Sequence, residues 1–187
     1  MLWVYVMNTK DIVFVALFAA LMAALAIFPP INIPVMGGVP ITAQSLGVML
    51  AGGLLGAKRG GLSMVLFLIL VAAGLPLLSG GRGGYGVFLG PSGGFLIGWI
   101  IAAFVVGYLI EKMWNELSYV KAGIAAILGG IVLLYAIGVP WVAYAAEIPL
   151  MKALIGSAAY IPGDIIKAVI AAVVIVQVKK SYPLIQR

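Results

Sequence analysis

Two ionisable residues interrupt an otherwise apolar stretch near the end of the chain. Asp164 and Lys167 stand three apart in Pro162-Gly163-Asp164-Ile165-Ile166-Lys167, and an unbroken apolar run follows Lys167 as far as Val176. That spacing puts both side chains on one face of a helix. A charge at the centre of a lone inserting helix costs about 2.5–3.5 kcal/mol, so the pair must point into a bundle and not at lipid. Two uses of the pair are open. In the first the charges only neutralise each other, or Asp164 caps the helix behind Pro162 and Gly163. In the second they receive a polar solute, Asp164 accepting a hydrogen bond and Lys167 donating one.

Gln44 is a second candidate, because its amide both donates and accepts and it opens another apolar run. Its competing use is a hydrogen bond between helices. Ser92 and Tyr160 are further candidates for contact with a ligand, whereas Arg82, among glycines, reads as a solvated loop charge. The chain has no cysteine, no histidine and only five carboxylates. Thiol nucleophiles, disulfides and the commonest zinc ligands are therefore excluded, and neither a catalytic residue nor a metal site is expected. The glycine-rich stretch 80–94 lacks a terminal Gly-Lys-Ser/Thr and is no phosphate loop, so any ATP hydrolysis must come from another chain.

The elements that must hold these groups are transmembrane helices. The 187 residues are 65% hydrophobic and 9% charged, with a mean hydropathy of +1.25, where a soluble domain is roughly half apolar and a quarter charged. A span takes about 20 apolar residues, so the length allows about six. Apolar runs bounded by charge, Pro or Gly place them at 12–28, 44–57, 60–78, 95–110, 122–139 and 162–178. The expectation is a single membrane domain over residues 1–187: an all-α integral membrane protein with six transmembrane helices and long outer loops. The first residues, with Trp3 and Tyr5, read as an interfacial segment and not as a signal peptide.

The net charge of +6 does not mark a nucleic-acid binder, because the basic residues sit at the ends of apolar runs and form no stripe. Lys10, Lys58, Arg59, Lys112, Lys121, Lys179, Lys180 and Arg187 fall on one side, against Arg82 and Lys152 on the other. The positive-inside rule then puts both termini in the cytoplasm. The outer connections are Pro29–Thr42, Leu77–Gly94 and Pro140–Ile161. Their length marks them as binding elements or lids. In the first span, Ala16, Ala20 and Ala24 share one face, with Ala19 and Ala23 beside it. Such small residues let a neighbouring helix approach closely, either one from a partner subunit or one from the same bundle.

Five ordered blocks carry a resemblance. They are Ala16 to Ala24, Val39-Pro40-Ile41-Thr42-Ala43-Gln44, Ala51-Gly52-Gly53-Leu54-Leu55-Gly56, Gly90-Pro91-Ser92-Gly93-Gly94-Phe95 and Pro162-Gly163-Asp164-Ile165-Ile166-Lys167. Together they resemble the BioY family, the biotin-specific S components of energy-coupling factor transporters. The resemblance implies a multi-pass protein of a prokaryotic cell membrane that binds biotin near its outer face as a transported ligand, with no cofactor. It also implies partners, a membrane coupling (T) subunit and two ATPase subunits. The family's Gly-Asp-x-x-Lys element falls on Gly163, Asp164 and Lys167, while Ser92 and Phe95 stand where many relatives carry Thr and Tyr. Biotin offers two ureido N–H donors, an accepting carbonyl, an apolar bicycle and a carboxylate tail. Asp164 suits an N–H, and Lys167 suits either the carbonyl or the carboxylate. A proton-coupled secondary transporter of a small carboxylated solute is the other class that a buried Asp and Lys would serve.

Overall fold

The computed structural model describes residues 7–31 and 39–185. Trp3, Tyr5, Arg187 and the middle of the Pro29–Thr42 connection lie outside them. The first helix, α1 (Thr9–Leu25), starts three residues before the apolar run. A capping box explains the difference: Asn8 Oδ1 accepts from the Asp11 amide at 2.8 Å and Asp11 Oδ2 from the Asn8 amide at 3.2 Å. α2 (Gln44–Leu55) and α3 (Ala57–Ala72) are separated by Gly56 alone, whose φ of 84° favours glycine. The Glu111 carboxylate accepts from the first amide of α3 at 2.9 Å, which brings the start of α3 to the end of α5 (Gly93–Lys112). Between them lies the short α4 (Gly86–Leu89). A 3-10 turn at Trp114–Glu116 leads into one continuous helical stretch, composed of α6 (Tyr119–Ile127), a π turn (Leu128–Leu133) and α7 (Leu134–Ala145). α8 (Leu150–Ala158) and α9 (Ile161–Ser181) complete the chain.

The described residues are all-helical apart from isolated bridges at Ile31–Ile41 and Leu78–Arg82. α5 is central, packed by α2, α3 and α7, while α1 lies on α3, and α9 joins α6 to α2. Phe67, Met22, Met49, Met64, Val106 and Ile110 are fully enclosed, and Phe67 meets Trp99 at 6.2 Å between ring centroids. Apolar side chains also cover the outside, among them Ile166 and Val169 of α9. In water such a coat would be a large association surface. Among the described residues, three helices, Gly93–Lys112, Tyr119–Ala145 and Ile161–Ser181, are long and apolar enough to cross a membrane.

Two of the expected connections differ from the sequence reading. Pro140–Ile161 is mostly helical, since α7 runs through Pro140 and α8 fills the rest. A proline in a helix frees one carbonyl, which neighbouring helices can tolerate in a membrane. Likewise α3 stops at Ala72 and not at position 78, because Gly74 takes a φ of 106° and the chain folds back to pair Leu78 with Arg82. In α1, Ala16, Ala20 and Ala24 are exposed, whereas Ala23 is half-buried and Ala19 is buried at 3%. Ala19 therefore belongs to the packing of this bundle and is not available to a partner.

At the end of the bundle away from Asp164, Arg59 ties three segments. It bonds Asp11 of α1 at 3.4 Å, the Leu55 carbonyl at 3.0 Å and the Leu184 carbonyl of the tail at 2.8 Å. Lysines of this end lie over aromatic rings: Lys10 over Phe14, Lys112 over Tyr108, Lys179 over Trp114 and Lys180 over Tyr119. Amphipathic rings beside cations suit the headgroup level of a bilayer.

Candidate binding pocket

The first turn of α9 projects Asp164 and Lys167 toward the start of α2, and the two form an ion pair at 2.7 Å. Their surroundings complete the shell. Asp164 Oδ1 also accepts from Ser45 Oγ at 3.1 Å, and Oδ2 accepts from the Tyr135 hydroxyl at 2.7 Å. Lys167 spends its other two N–H groups on the Thr42 carbonyl at 2.7 Å and on Ser45 Oγ at 2.9 Å. The lysine is thus saturated. A carboxylate offers about four acceptor positions, so Asp164 keeps room for one further donor.

These groups border a cleft between the start of α2, the connection after α3 and the helices α5, α7 and α9. Gln44, Ser92, Tyr160, Asp164 and Lys167 all line it. They do not have equal chemical freedom. Gln44 Nε2 donates to the carbonyls of Met22 at 3.0 Å and Leu77 at 3.1 Å, and Oε1 accepts from the amide and the hydroxyl of Ser79 at 3.1 and 3.3 Å. Its hydrogen-bonding capacity is filled, so it acts as a strut joining α1, α2 and the connection after α3. Tyr160 donates to the Val39 carbonyl at 2.6 Å. Burial first, and then the charge of Asp164, push its hydroxyl up to about 12, so it stays a neutral donor at physiological pH.

Arg82 is not a solvated loop charge. The fold-back at Leu78–Arg82 carries it into the cleft wall, where Nε donates to the Ser79 carbonyl and Nη1 to Ser92 Oγ, both at 3.3 Å. Burial lowers its pKa from the ordinary arginine value. A guanidinium starts so far above neutrality that it remains charged and keeps N–H groups for another acceptor.

The apolar wall is aromatic. Phe95, Tyr135 and Tyr160 stand edge to face with centroids 5.8–6.4 Å apart, and Trp99 extends the surface. Two glycines make this arrangement sterically possible. A Cβ at Gly138 would meet the Phe95 ring at 2.5 Å, and one at Gly94 would overlap Trp141, whose indole N–H donates to the Gly90 carbonyl at 2.9 Å. The sequence reading passed over Tyr135 and Ser45. Tyr135 was signalled, as the single hydroxyl within the apolar run 122–139.

Long apolar helices around a cleft lined by a carboxylate, two cations and aromatic rings define the class as a multi-pass membrane protein. Comparison with known proteins makes this particular. The BioY family profile matches residues 3–184, and the chain belongs to the BioY family. It is 51% identical over 184 residues to the biotin transporter BioY of Rhizobium etli, covering 96% of this chain and 98% of that one. It is 47% identical to the biotin transporter BioY of Rhodobacter capsulatus, covering 88% and 90%. Its fold matches the crystal structure of the S-component for biotin from an ECF-type ABC transporter with a TM-score of 0.86, at 36% identity, covering 94% of this chain and 95% of that chain.

Proposed function

We propose that the protein captures biotin outside the cell and serves as the substrate-binding subunit of an ATP-driven ECF transporter. The observation that carries this reading is the composition of one cleft. Among the described residues, Asp164, Lys167 and Arg82 are its charged lining groups, which leaves one positive charge over for the carboxylate of biotin. Because Lys167 is saturated by Asp164, Ser45 and Thr42, the carboxylate goes to Arg82. A ureido N–H takes the remaining acceptor position on Asp164, and the bicycle lies against Phe95, Trp99 and Tyr160.

On this reading the chain is one membrane domain with six spans, formed by α1, α2, α3, α5, the α6–α7 stretch and α9. α2 has 12 residues and is about 18 Å long, well short of a bilayer core of about 30 Å. Its short length sinks Gln44 and the cleft floor below the membrane surface. Both termini are cytoplasmic, since the basic, aromatic-flanked end is theirs. Single cysteines replacing Tyr85 and Ser118, in a chain without native cysteine, test this in intact cells. An impermeant thiol reagent labels position 85 and not 118, and the reverse pattern overturns the orientation.

ATP is hydrolysed by two partner subunits joined through the membrane coupling subunit, and the exposed Ala16, Ala20 and Ala24 face of α1 is where that subunit docks. Uptake of labelled biotin separates this reading from proton-coupled transport. Co-expression of the coupling subunit and ATPases should raise uptake strongly, and an ATPase-inactive variant should remove the gain. Uptake by this chain alone that collapses with a protonophore would instead favour the secondary transporter.

A further inference from the structure

Arg82 closes a tight turn with a soft hinge. Leu78 and Arg82 exchange backbone hydrogen bonds at 2.9 and 3.2 Å, and between them Gly80 and Gly81 take φ of 80° and 69°. Glycine adopts that conformation without strain, and it also leaves the backbone free to swing. The turn is shaped by its own residues but not aimed by them. A group outside it has to fix where the guanidinium points.

Gln44 supplies that anchor. Its side chain is 1% exposed and makes four hydrogen bonds, three of them on the segment that carries Arg82. Those three are from Nε2 to the Leu77 carbonyl, and to Oε1 from the amide and the hydroxyl of Ser79. Ser79 is wholly buried, so its amide has no solvent to turn to. The fourth bond fastens the same side chain to the Met22 carbonyl in the last turn of α1, where the Ala26 amide donates to Ala23 at 3.1 Å. Carbonyls at a helix end need a partner from outside the helix. The Ser79 carbonyl in turn accepts from Arg82 Nε, so one residue separates the Gln44 anchor from the guanidinium.

We infer that Gln44, acting through Ser79, is the positioning residue that gives the cleft its preference for a carboxylate over a neutral tail. The inference rests on the placement of the biotin carboxylate at Arg82. Arginine holds a carboxylate through a planar fork, so the contact depends on direction as well as charge. With Nε held by Ser79 and Nη1 by Ser92, the guanidinium presents its remaining N–H groups in one orientation. A side chain ordered before the ligand arrives loses little rotamer freedom on binding it. Gln44 has no hydrogen-bonding capacity left for the ligand, so its effect reaches the tail through Arg82 and spares the ureido ring at Asp164.

Calorimetry with biotin and with its primary amide, which matches it in size but carries no charge, tests this. The wild type should favour biotin by about thirtyfold or more, the worth of a desolvated charge contact. Arg82→Met should bring the two ligands close to parity. Gln44→Met keeps the length of the side chain and none of its hydrogen bonds, and should lower the preference about tenfold while the affinity for the amide stays nearly unchanged. Ser79→Ala removes one of the bonds to Gln44 and should lower the preference by roughly threefold. Equal weakening of both ligands by Gln44→Met makes Gln44 a scaffold residue and overturns the inference. If the thermal midpoint shows that this variant does not fold, Ser79→Ala decides, and an unchanged preference there overturns it. A preference that survives Arg82→Met overturns the carboxylate placement itself. One that Arg82→Met abolishes and Gln44→Met spares overturns the role of Gln44 alone.

Discussion

Asp164→Asn and Lys167→Ala should each weaken biotin binding by about thirtyfold or more, measured by calorimetry on the purified protein. Losing one partner of a desolvated, hydrogen-bonded charge pair typically costs about 2–5 kcal/mol. Here the loss is compounded by the shell. Lys167→Ala leaves the Thr42 carbonyl and Ser45 hydroxyl without their donor and strands a carboxylate that is 5% exposed. Asp164→Asn weakens the acceptor that orients Tyr135. Stranding a buried charge also destabilises the bundle, so a loss of binding alone does not separate site from scaffold. The double substitution Asp164→Asn with Lys167→Met does. It removes both charges together, and binding should remain lost while the thermal midpoint recovers. Wild-type affinity in the double variant would make the pair structural.

Ala20→Trp and Ala24→Trp should abolish assembly with the coupling subunit and ATP-driven uptake, while biotin binding by the isolated chain stays as in the wild type. In lipid, helices associate through close van der Waals contact, and a bulky ring on the contact face holds the partner away. Both alanines are exposed, so the ring meets no neighbour in this chain. Ala19→Trp is the contrasting case. Its site is buried in the packing of α1 against the bundle, and overpacking there costs about 1–3 kcal/mol, so stability and binding should fall together. Normal co-purification of the complex with Trp at positions 20 and 24 would remove docking from this helix.

What the sequence discloses follows from what is costly in lipid. Asp164, Lys167 and Gln44 were legible because polar groups inside apolar runs need partners wherever the chain folds, and all three border the cleft. The helices were legible from the runs, but their ends were not. Polar Lys10 and Asp11 belong to α1 through a capping box, and Pro140 is inside α7 despite being a helix breaker in water. Arg82 was misread for a different reason. Glycines on both sides indicate a flexible loop, yet the direction of that loop depends on the Leu78–Arg82 pairing and on Gln44 holding Ser79 from 35 residues away. The split of the alanines into exposed and buried is equally non-local. It depends on which face of α1 meets α3, and helical spacing alone leaves that open.

Titration of the purified wild-type protein with biotin, in detergent or nanodiscs and without any partner subunit, tests the central claim most directly. The account predicts saturable binding with one biotin per chain, lost when the carboxylate of the vitamin is converted to a bulky amide, because Arg82 would then face a neutral group. A protein that is monodisperse and thermally stable yet gives no saturable heat with biotin would contradict it.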